Sequence, residues 1–558
     1  MAEEKLKSII EHFYKSESTT PDKIFLRQPK GEQWIELTFR EAGIEARKVA
    51  TYLKSIGLGK NDHIAIYSKN CYHWIMSDLA IMMIGAVSVP LYASLSKDQL
   101  KEVLSISDSK AVFLGKLDSW GDKREAIADG VEMIRYPQYP DNANVDVGEK
   151  WEDIINSHEA LTENYIPDLD DLWTIKFTSG TTGTPKGVMH IHKTPTLIMA
   201  NEKKTSFIGM YNLKEFRFFS FLPLNHVGER LGMEVPALAT GGSISFAESL
   251  DTFAKNIQET QPTMIFAVPR IWTKFYLGVL AKMPQKKLDL FFKIPILSGI
   301  IKKKIRTGLG LRDVQVAATG AAITPGFLKD WYKRLGIHLV EAYGMTEVCG
   351  SMTNGVDLDA PQDSVGRAIP FGEVKIHEQT GEILMKTPYI MTGYYKDPEK
   401  TAEVLKDGWM HSGDKGTMDE RGYVRVIGRV KDAFKTAKGE FITPNPMEEV
   451  LAKNDYIEQC CVVGLGMPQP MALVNLSEIG QAADKNNVEE SFRNDLKALN
   501  ATLDSYTRIS TVVIDQNTWS IENEMITPTL KVKRGKLDEC YLNEYQKWHE
   551  GESDVMWV

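Results

Sequence analysis

Cysteine is scarce in this chain and is never spaced for metal or redox work. Cys71, Cys349, Cys460, Cys461 and Cys540 form no C-x-x-C pair. That excludes a disulfide frame and a cysteine zinc site, and it points to reduced thiols in a cytosolic setting. Long apolar runs are also absent. The longest, Leu79–Leu91 (LAIMMIGAVSVPL), has 13 residues, well short of the ~20 that a membrane-spanning helix needs. It reads as a buried helix running into a strand. The opening stretch, MAEEKLKSIIEHFYKSE, is charged throughout and lacks the apolar centre of a signal peptide, so a cytoplasmic chain is expected. Positive charge is in deficit: 66 Lys+Arg against 75 Asp+Glu leave a net charge of −9. That balance argues against nucleic acid as a partner.

What is present is ordinary for a folded protein: 43% hydrophobic and 25% charged residues across 558 positions, enough for roughly two to four domains. Helical spacing of apolar residues marks Lys5–Phe13 and Arg40–Leu53. Short strands are expected at His63–Tyr67, Ala86–Leu91, Lys110–Leu114, Phe216–Leu222, Ser243–Phe246, Thr263–Val268, Val314–Ala318 and His338–Ala342. Strands alternating with helices imply an α/β fold with parallel βαβ units, whose ligands bind beyond the carboxyl ends of the strands. After Asp363 the texture changes. Glu373–Ile376, a Gln379-Thr380-Gly381 turn and Ile383–Lys386 read as a hairpin in a β-rich subdomain over about 364–428. Gly428–Asp432 (GRVKD) marks a seam. Beyond it, Pro446–Leu451, Cys461–Val463, Glu489–Leu503 and Ser510–Ile514 describe a small α+β unit. The expected division is therefore 1–430 and 431–558.

One stretch anchors the functional reading. The apolar run ending at Phe177 is followed by Thr178-Ser179-Gly180-Thr181-Thr182-Gly183-Thr184-Pro185-Lys186-Gly187. Glycines free the backbone so that successive N–H groups can converge on an anion. The hydroxyls add donors and Lys186 a mobile cation. The spacing is not a Walker A motif, because Pro185 stands where that motif needs its second glycine. A flexible Gly/Thr surface loop is the plainer alternative.

Further stretches complement the loop: Ser220–Arg230 (SFLPLNHVGER), Thr319–Ala322 (TGAA), Glu341–Glu347 (EAYGMTE), Gly408–Gly416 (GWMHSGDKG), GRVKD and Leu530–Lys536 (LKVKRGK). In this order they resemble the signature of the adenylate-forming superfamily, which contains acyl-CoA synthetases, peptide-synthetase adenylation domains and luciferases. FLPLNHVGER, Val268–Trp272 (VPRIW) and Thr527–Arg534 (TPTLKVKR) are most similar to long-chain fatty acyl-CoA synthetases. The resemblance implies a large N-terminal domain of stacked α/β layers, the β-rich subdomain and a mobile C-terminal domain. It also implies two-step chemistry: a carboxylate attacks the α-phosphorus of MgATP to give acyl-AMP and pyrophosphate, then the thiol of coenzyme A displaces AMP. A weak anionic nucleophile meeting an anionic substrate demands cations and alignment more than a base.

Roles follow from motif position. The resemblance implies that Thr178, Ser179, Gly180, Thr181, Thr182, Gly183 and Lys186 hold the β- and γ-phosphates. Gly320, Ala321, Ala322, Glu341, Ala342, Tyr343, Gly344 and Met345 surround the nucleotide base, with Tyr343 against adenine. Thr346 donates to the α-phosphate, Glu347 holds Mg²⁺, and Asp414 accepts from the ribose hydroxyls beside Arg429. Lys531 is the catalytic lysine, with Lys533 as fallback because Leu530 stands where the family often has glycine. Lys431 is the hinge of the C-terminal domain. Lys435 and Gly439 are coenzyme A candidates, although Phe434–Phe441 is one residue longer than in luciferase-like members. His226 lies beside the acyl carboxylate, and His226, Val227, Gly228, Met233 and Ala318 wall the acid pocket. Alone, each has a plain reading as core packing, a cap or a solvated basic run; the ordered set is what favours function.

A medium- or long-chain fatty acid is the expected substrate. An aromatic acid, or loading of a separate carrier protein, is the alternative. A non-catalytic nucleotide-binding protein is disfavoured by retention of Lys186, Glu347, Asp414, Arg429 and Lys531 together. No obligate protein partner is inferred. The segment 286–312 (KKLDLFFKIPILSGIIKKKIRTGLGLR) is basic and apolar at once. Such a segment can lie on an anionic membrane or serve as an ordinary surface helix.

Overall fold

The computed structural model describes residues 6–178, 185–429, 433–437, 440–528, 530–551 and 553–558. Two large sheets dominate. The nine-stranded one has a parallel centre running Ser243–Phe246, Arg217–Ser220, Met264–Ala267, Val316–Gly320 and Leu339–Met345. The eight-stranded one centres on Ala111–Leu114, His63–Tyr67, Val87–Leu91 and Leu172–Thr178, also parallel. Their inner faces share one core with the helices Ile9–Thr19, Phe39–Ser55, Tyr72–Met83 and Val235–Thr240. Separate clusters pack helices on each outer face, so helix and sheet layers alternate through the domain. Every residue of the central helix from His73 to Met83 is buried. That all-round burial is why the helical part of the longest apolar run shows no polar stripe.

The expected strands appear with small changes of boundary. The first helix is Ile9–Thr19 rather than Lys5–Phe13. The Glu11 carboxylate accepts from the Ser8 backbone N–H at 2.7 Å and fixes its start. A hairpin at Ile24–Lys30 and Gln33–Thr38 adds an unanticipated antiparallel edge to the larger sheet. The β-rich unit is a five-stranded sheet containing Glu373–Ile376, Glu382–Lys386, Trp409–Met418 and Val424–Arg429. The last unit carries a four-stranded sheet of Ile457–Val463, Met471–Leu476, Val512–Ile514 and Val555–Trp557, with an apolar cluster on each face. The segment 286–312 forms two helices, Gln285–Phe292 and Pro295–Gly308.

Candidate active site

The loops leaving the parallel strands Arg217–Ser220, Met264–Ala267, Val316–Gly320 and Leu339–Met345 open on one cleft of about 1020 Å³, bordered also by the β-rich unit and by Leu530–Val532. This is where a parallel sheet leaves its strand ends uncovered. Three groups of side chains face it.

The first group comes from a strand register. Asp414 and Arg429 are direct partners across the ladder between Trp409–Met418 and Val424–Arg429. Arg429 Nε lies 3.4 Å from Asp414 Oδ1, and the Tyr343 hydroxyl donates to Asp414 Oδ2 at 2.8 Å. Held this way, the carboxylate is an oriented acceptor for vicinal hydroxyls. Tyr343 belongs to Leu339–Met345, where the ladder shifts register after it. There the next residue must be glycine, since a Cβ on Gly344 would meet the Gly350 carbonyl oxygen at 1.7 Å. Ala321 and Ala322 face the same region, Ala321 with a left-handed φ of 67°.

The second group surrounds the anchor loop. Thr178 and Lys186 are opposite partners of the antiparallel strands Leu172–Thr178 and Lys186–Ile191, and both line the cleft. Beside them, buried Glu347 accepts from the Tyr394 hydroxyl at 2.7 Å, and Lys186 Nζ stands 5.4 Å from the Tyr394 ring centroid. The Thr346 carbonyl accepts from His190 Nε2 at 2.7 Å, fixing the turn that carries Glu347.

The third group is His226 and Lys531. His226 caps the short helix Val227–Glu229, its Nδ1 accepting from the Gly228 N–H at 3.1 Å. Burial, then the Lys531 and Lys176 ammoniums, lower its pKa to about 3. The ring is therefore neutral near pH 7 and carries its proton on Nε2. Lys531 lines the cleft, whereas Lys533 instead stands at the N-cap of the helix Arg534–Tyr541.

Of the other expected residues, Val227, Gly228, Ala318, Ala342, Met345 and Thr346 line the cleft. Gly320 is buried at the end of its strand. Glu341 reaches the cleft wall, but its carboxylate is engaged inside the protein. It accepts from the Thr324 N–H at 2.8 Å and from Lys329 Nζ at 2.6 Å. Met233 is not a wall of the cleft; it is fully buried in the main core. The π-helical turn Arg230–Glu234 presents Leu231 and Gly232 to the cleft instead. Lys435 is exposed on the short strand Phe434–Lys435, away from the cleft. Ser179, Gly180, Thr181, Thr182, Gly183, Lys431 and Gly439 lie outside the described residues.

Residues 13–395 match the family described as AMP-binding enzyme, and residues 431–548 match the C-terminal domain of AMP-binding enzymes. The chain belongs to the AMP-binding enzyme family. This AMP-binding enzyme is 30% identical over 588 residues to the long-chain-fatty-acid–CoA ligase 5 of Rattus norvegicus, covering 93% of this chain and 84% of that one. Its fold matches an anthranilate CoA ligase, AuaEII, solved with anthranoyl-AMP (TM-score 0.77, 18% identity, 96% and 97% of the two chains). It also matches the A-PCP didomain of a carboxylic acid reductase from Segniliparus rugosus in complex with AMP (TM-score 0.81, 20% identity, 98% and 83%).

Two features of this AMP-binding enzyme escape its sequence motifs. Tyr394 lies in a GYYKDPEK stretch that reads as a turn, and nothing local marks its hydroxyl for Glu347. Arg230 ends the FLPLNHVGER stretch, yet it is fully buried between Asp78 and Glu234 and points to no substrate. The usable signal was Asp78, a lone carboxylate within a mostly apolar helix.

Proposed function

We propose that this chain activates a long-chain fatty acid with ATP and passes it to coenzyme A. The observation that carries this reading is the convergence on one cleft of Asp414 with Arg429 and Tyr343, Glu347 beside Lys186, and Lys531 near His226. In the first step a carboxylate oxygen bonds to the α-phosphorus and pyrophosphate leaves. In the second the thiol sulfur bonds to the acyl carbon, AMP leaves and the thiol proton goes to solvent. Asp414 accepts from the ribose hydroxyls and Thr346 donates to the α-phosphate. Lys186 neutralises the departing phosphates, and Lys531 the charge shared by carboxylate and α-phosphate. The neutral His226 ring offers an N–H to the acid without competing for its proton.

Glu347 fits magnesium. It is a hard oxygen donor with one oxygen already oriented by Tyr394. Among the described residues no cluster of three or more His, Cys, Asp or Glu exists to hold a metal alone, which suits an ion brought in on phosphate oxygens. Bound there, magnesium would spread the negative charge of the triphosphate.

The acid arm of the cleft is apolar. Phe207, Ile208, Val227, Leu231, Ile369 and Tyr389 line it and pack as one cluster. Each methylene buried there gains ~0.8 kcal/mol, which favours alkyl chains over aryl acids. The test is AMP formation across short, medium and long alkyl acids and benzoates, with and without coenzyme A. Long alkyl acids should turn over fastest and only with coenzyme A. A benzoate preference, or turnover that needs a carrier protein instead, would overturn the substrate reading.

We further infer that a cytoplasmic enzyme of this kind takes its acid from a membrane surface through the two helices at 285–308. Leu290, Ile294, Ile296 and Ile300 are 59%, 47%, 82% and 59% exposed there, among Lys286, Lys287, Lys293 and Lys302–Lys304. Apolar side chains ringed by ammoniums match a bilayer interface with anionic headgroups. No helix among the described residues is long and apolar enough to cross a membrane. Flotation with liposomes containing phosphatidylserine should recover the protein at low salt and lose it at high salt. Ile296→Glu with Ile300→Glu should abolish recovery, and salt-insensitive or absent binding by the parent chain defeats the idea.

A further inference from the structure

Lys186 and Glu347 carry opposite charges into the same part of the cleft, yet among the described residues they form no ion pair. One side chain stands against both. The Tyr394 hydroxyl donates to Glu347 Oε1 at 2.7 Å, the only hydrogen bond to that carboxylate among the described residues. Lys186 Nζ sits 5.4 Å from the centroid of the same ring. The backbone around Tyr394 straps the two segments as well. The Met391 N–H donates to the Glu347 carbonyl at 2.7 Å, the Tyr395 N–H donates to the Gly187 carbonyl at 2.7 Å, and Tyr394 is the ladder partner of Val188. Burial, then the charge of Glu347, raises the pKa of the phenol, so it remains a donor.

We propose that Tyr394 is a positioning residue that holds the Glu347 carboxylate by its hydroxyl and the Lys186 ammonium against its ring, keeping the two from neutralising each other before nucleotide arrives. This rests on the reading of the cleft as an ATP site. The physical need is direct. A cation and a carboxylate facing one cleft attract each other, and once paired each must be released before it can serve phosphate or metal. A phenol resolves the conflict because its two ends differ: the π face attracts an ammonium, while the hydroxyl donates to a carboxylate.

Two variants of the full chain separate the two ends. Tyr394→Phe keeps the ring and deletes the donor; Tyr394→Leu deletes both. Mn²⁺ binding is followed by electron paramagnetic resonance in the presence of ATP and without acid, and ATP–pyrophosphate exchange is followed as magnesium is varied. Tyr394→Phe should weaken Mn²⁺ binding and raise the magnesium midpoint by about ten- to a hundredfold, the range for a lost hydrogen bond to a charged group, with ATP affinity little changed. Tyr394→Leu should add a rise in KM for ATP as Lys186 turns to Glu347. The proposal is overturned if Tyr394→Phe binds Mn²⁺ as the parent does, whatever its melting temperature, or if the two variants behave alike. Absence of exchange in the parent chain with every acid would instead defeat the functional reading, and the Mn²⁺ measurement, which needs no acid, distinguishes the two.

Discussion

Lys531→Ala is expected to lower fatty-acid-dependent ATP–pyrophosphate exchange by about 10²–10³, the loss measured when a single donor to a developing oxyanion is deleted elsewhere. The local backbone is built to aim this residue. Leu530 adopts a left-handed φ of 61°, turning the chain so that Lys531 borders the cleft. The turn is closed by the Lys531 N–H donating to Thr527 Oγ1 at 3.0 Å and the Thr527 N–H donating to the Lys531 carbonyl at 2.7 Å. The C-terminal unit is held to the rest by Arg270 Nη2 on Glu458 Oε1 at 2.7 Å and by the Tyr276 hydroxyl on Asp455 Oδ1 at 2.7 Å. In this arrangement Lys531 borders the cleft, where the proposed function gives it a role in the first step only. Lys531→Ala should therefore leave the reaction of preformed acyl-AMP with coenzyme A within a few-fold of the parent. Lys533→Ala is the control and should leave exchange nearly unchanged. Exchange retained within tenfold in Lys531→Ala, or lost in Lys533→Ala, would move the catalytic role to the other lysine.

The sequence was a good guide where pairing is local or where an apolar run is bounded by turn residues. His63–Tyr67, Ser243–Phe246 and Glu373–Ile376 have the expected boundaries. It was a poor guide where a strand depends on distant partners. Among the described residues Val555–Trp557 pairs only with Val512–Ile514, and no pattern within three residues announces that. Ile24–Lys30 contains Pro29, which argues against a strand, but the residue sits at an end of the sheet beside an edge hairpin. In the cleft, Asp414 and Arg429 were singled out by motif, and the ladder register sets them side by side. Met233 was misjudged because a π turn shifts the side chains around it by a fraction of a turn, a change no helical periodicity anticipates. Glu341 was named for the nucleotide, but its carboxylate is spent on Lys329 and Thr324. Its place in the motif carries no information about where its carboxylate points.

Arg230→Met is expected to cost about 3–5 kcal/mol of folding stability, the penalty for stranding a buried charge. Arg230 is completely buried. It donates to Asp78 Oδ2 and to Glu234 Oε2, each at 2.6 Å, and to Thr174 Oγ1 at 3.2 Å. Its guanidinium stacks 4.2 Å from the Trp173 ring centroid and 5.4 Å from that of Trp74. Methionine fills much of the volume but leaves Asp78 and Glu234 without the guanidinium between them, the buried Lys176 ammonium being the remaining cation that both feel. Burial already pushes the pKa of Glu234 upward, so that carboxyl takes a proton readily and part of the penalty falls on Asp78. The compensated variant Arg230→Met, Asp78→Asn, Glu234→Gln removes all three charges and should recover most of the loss. Denaturant unfolding of the three proteins decides the matter. A single variant as stable as the parent, or a triple variant no better than the single, would show that the cluster is held by its packing against Trp74 and Trp173 and not by its charges. Because Arg230 and Glu234 begin and end the π turn that carries Leu231 and Gly232 to the acid arm, the single variant should also lose discrimination among chain lengths at temperatures where it remains folded.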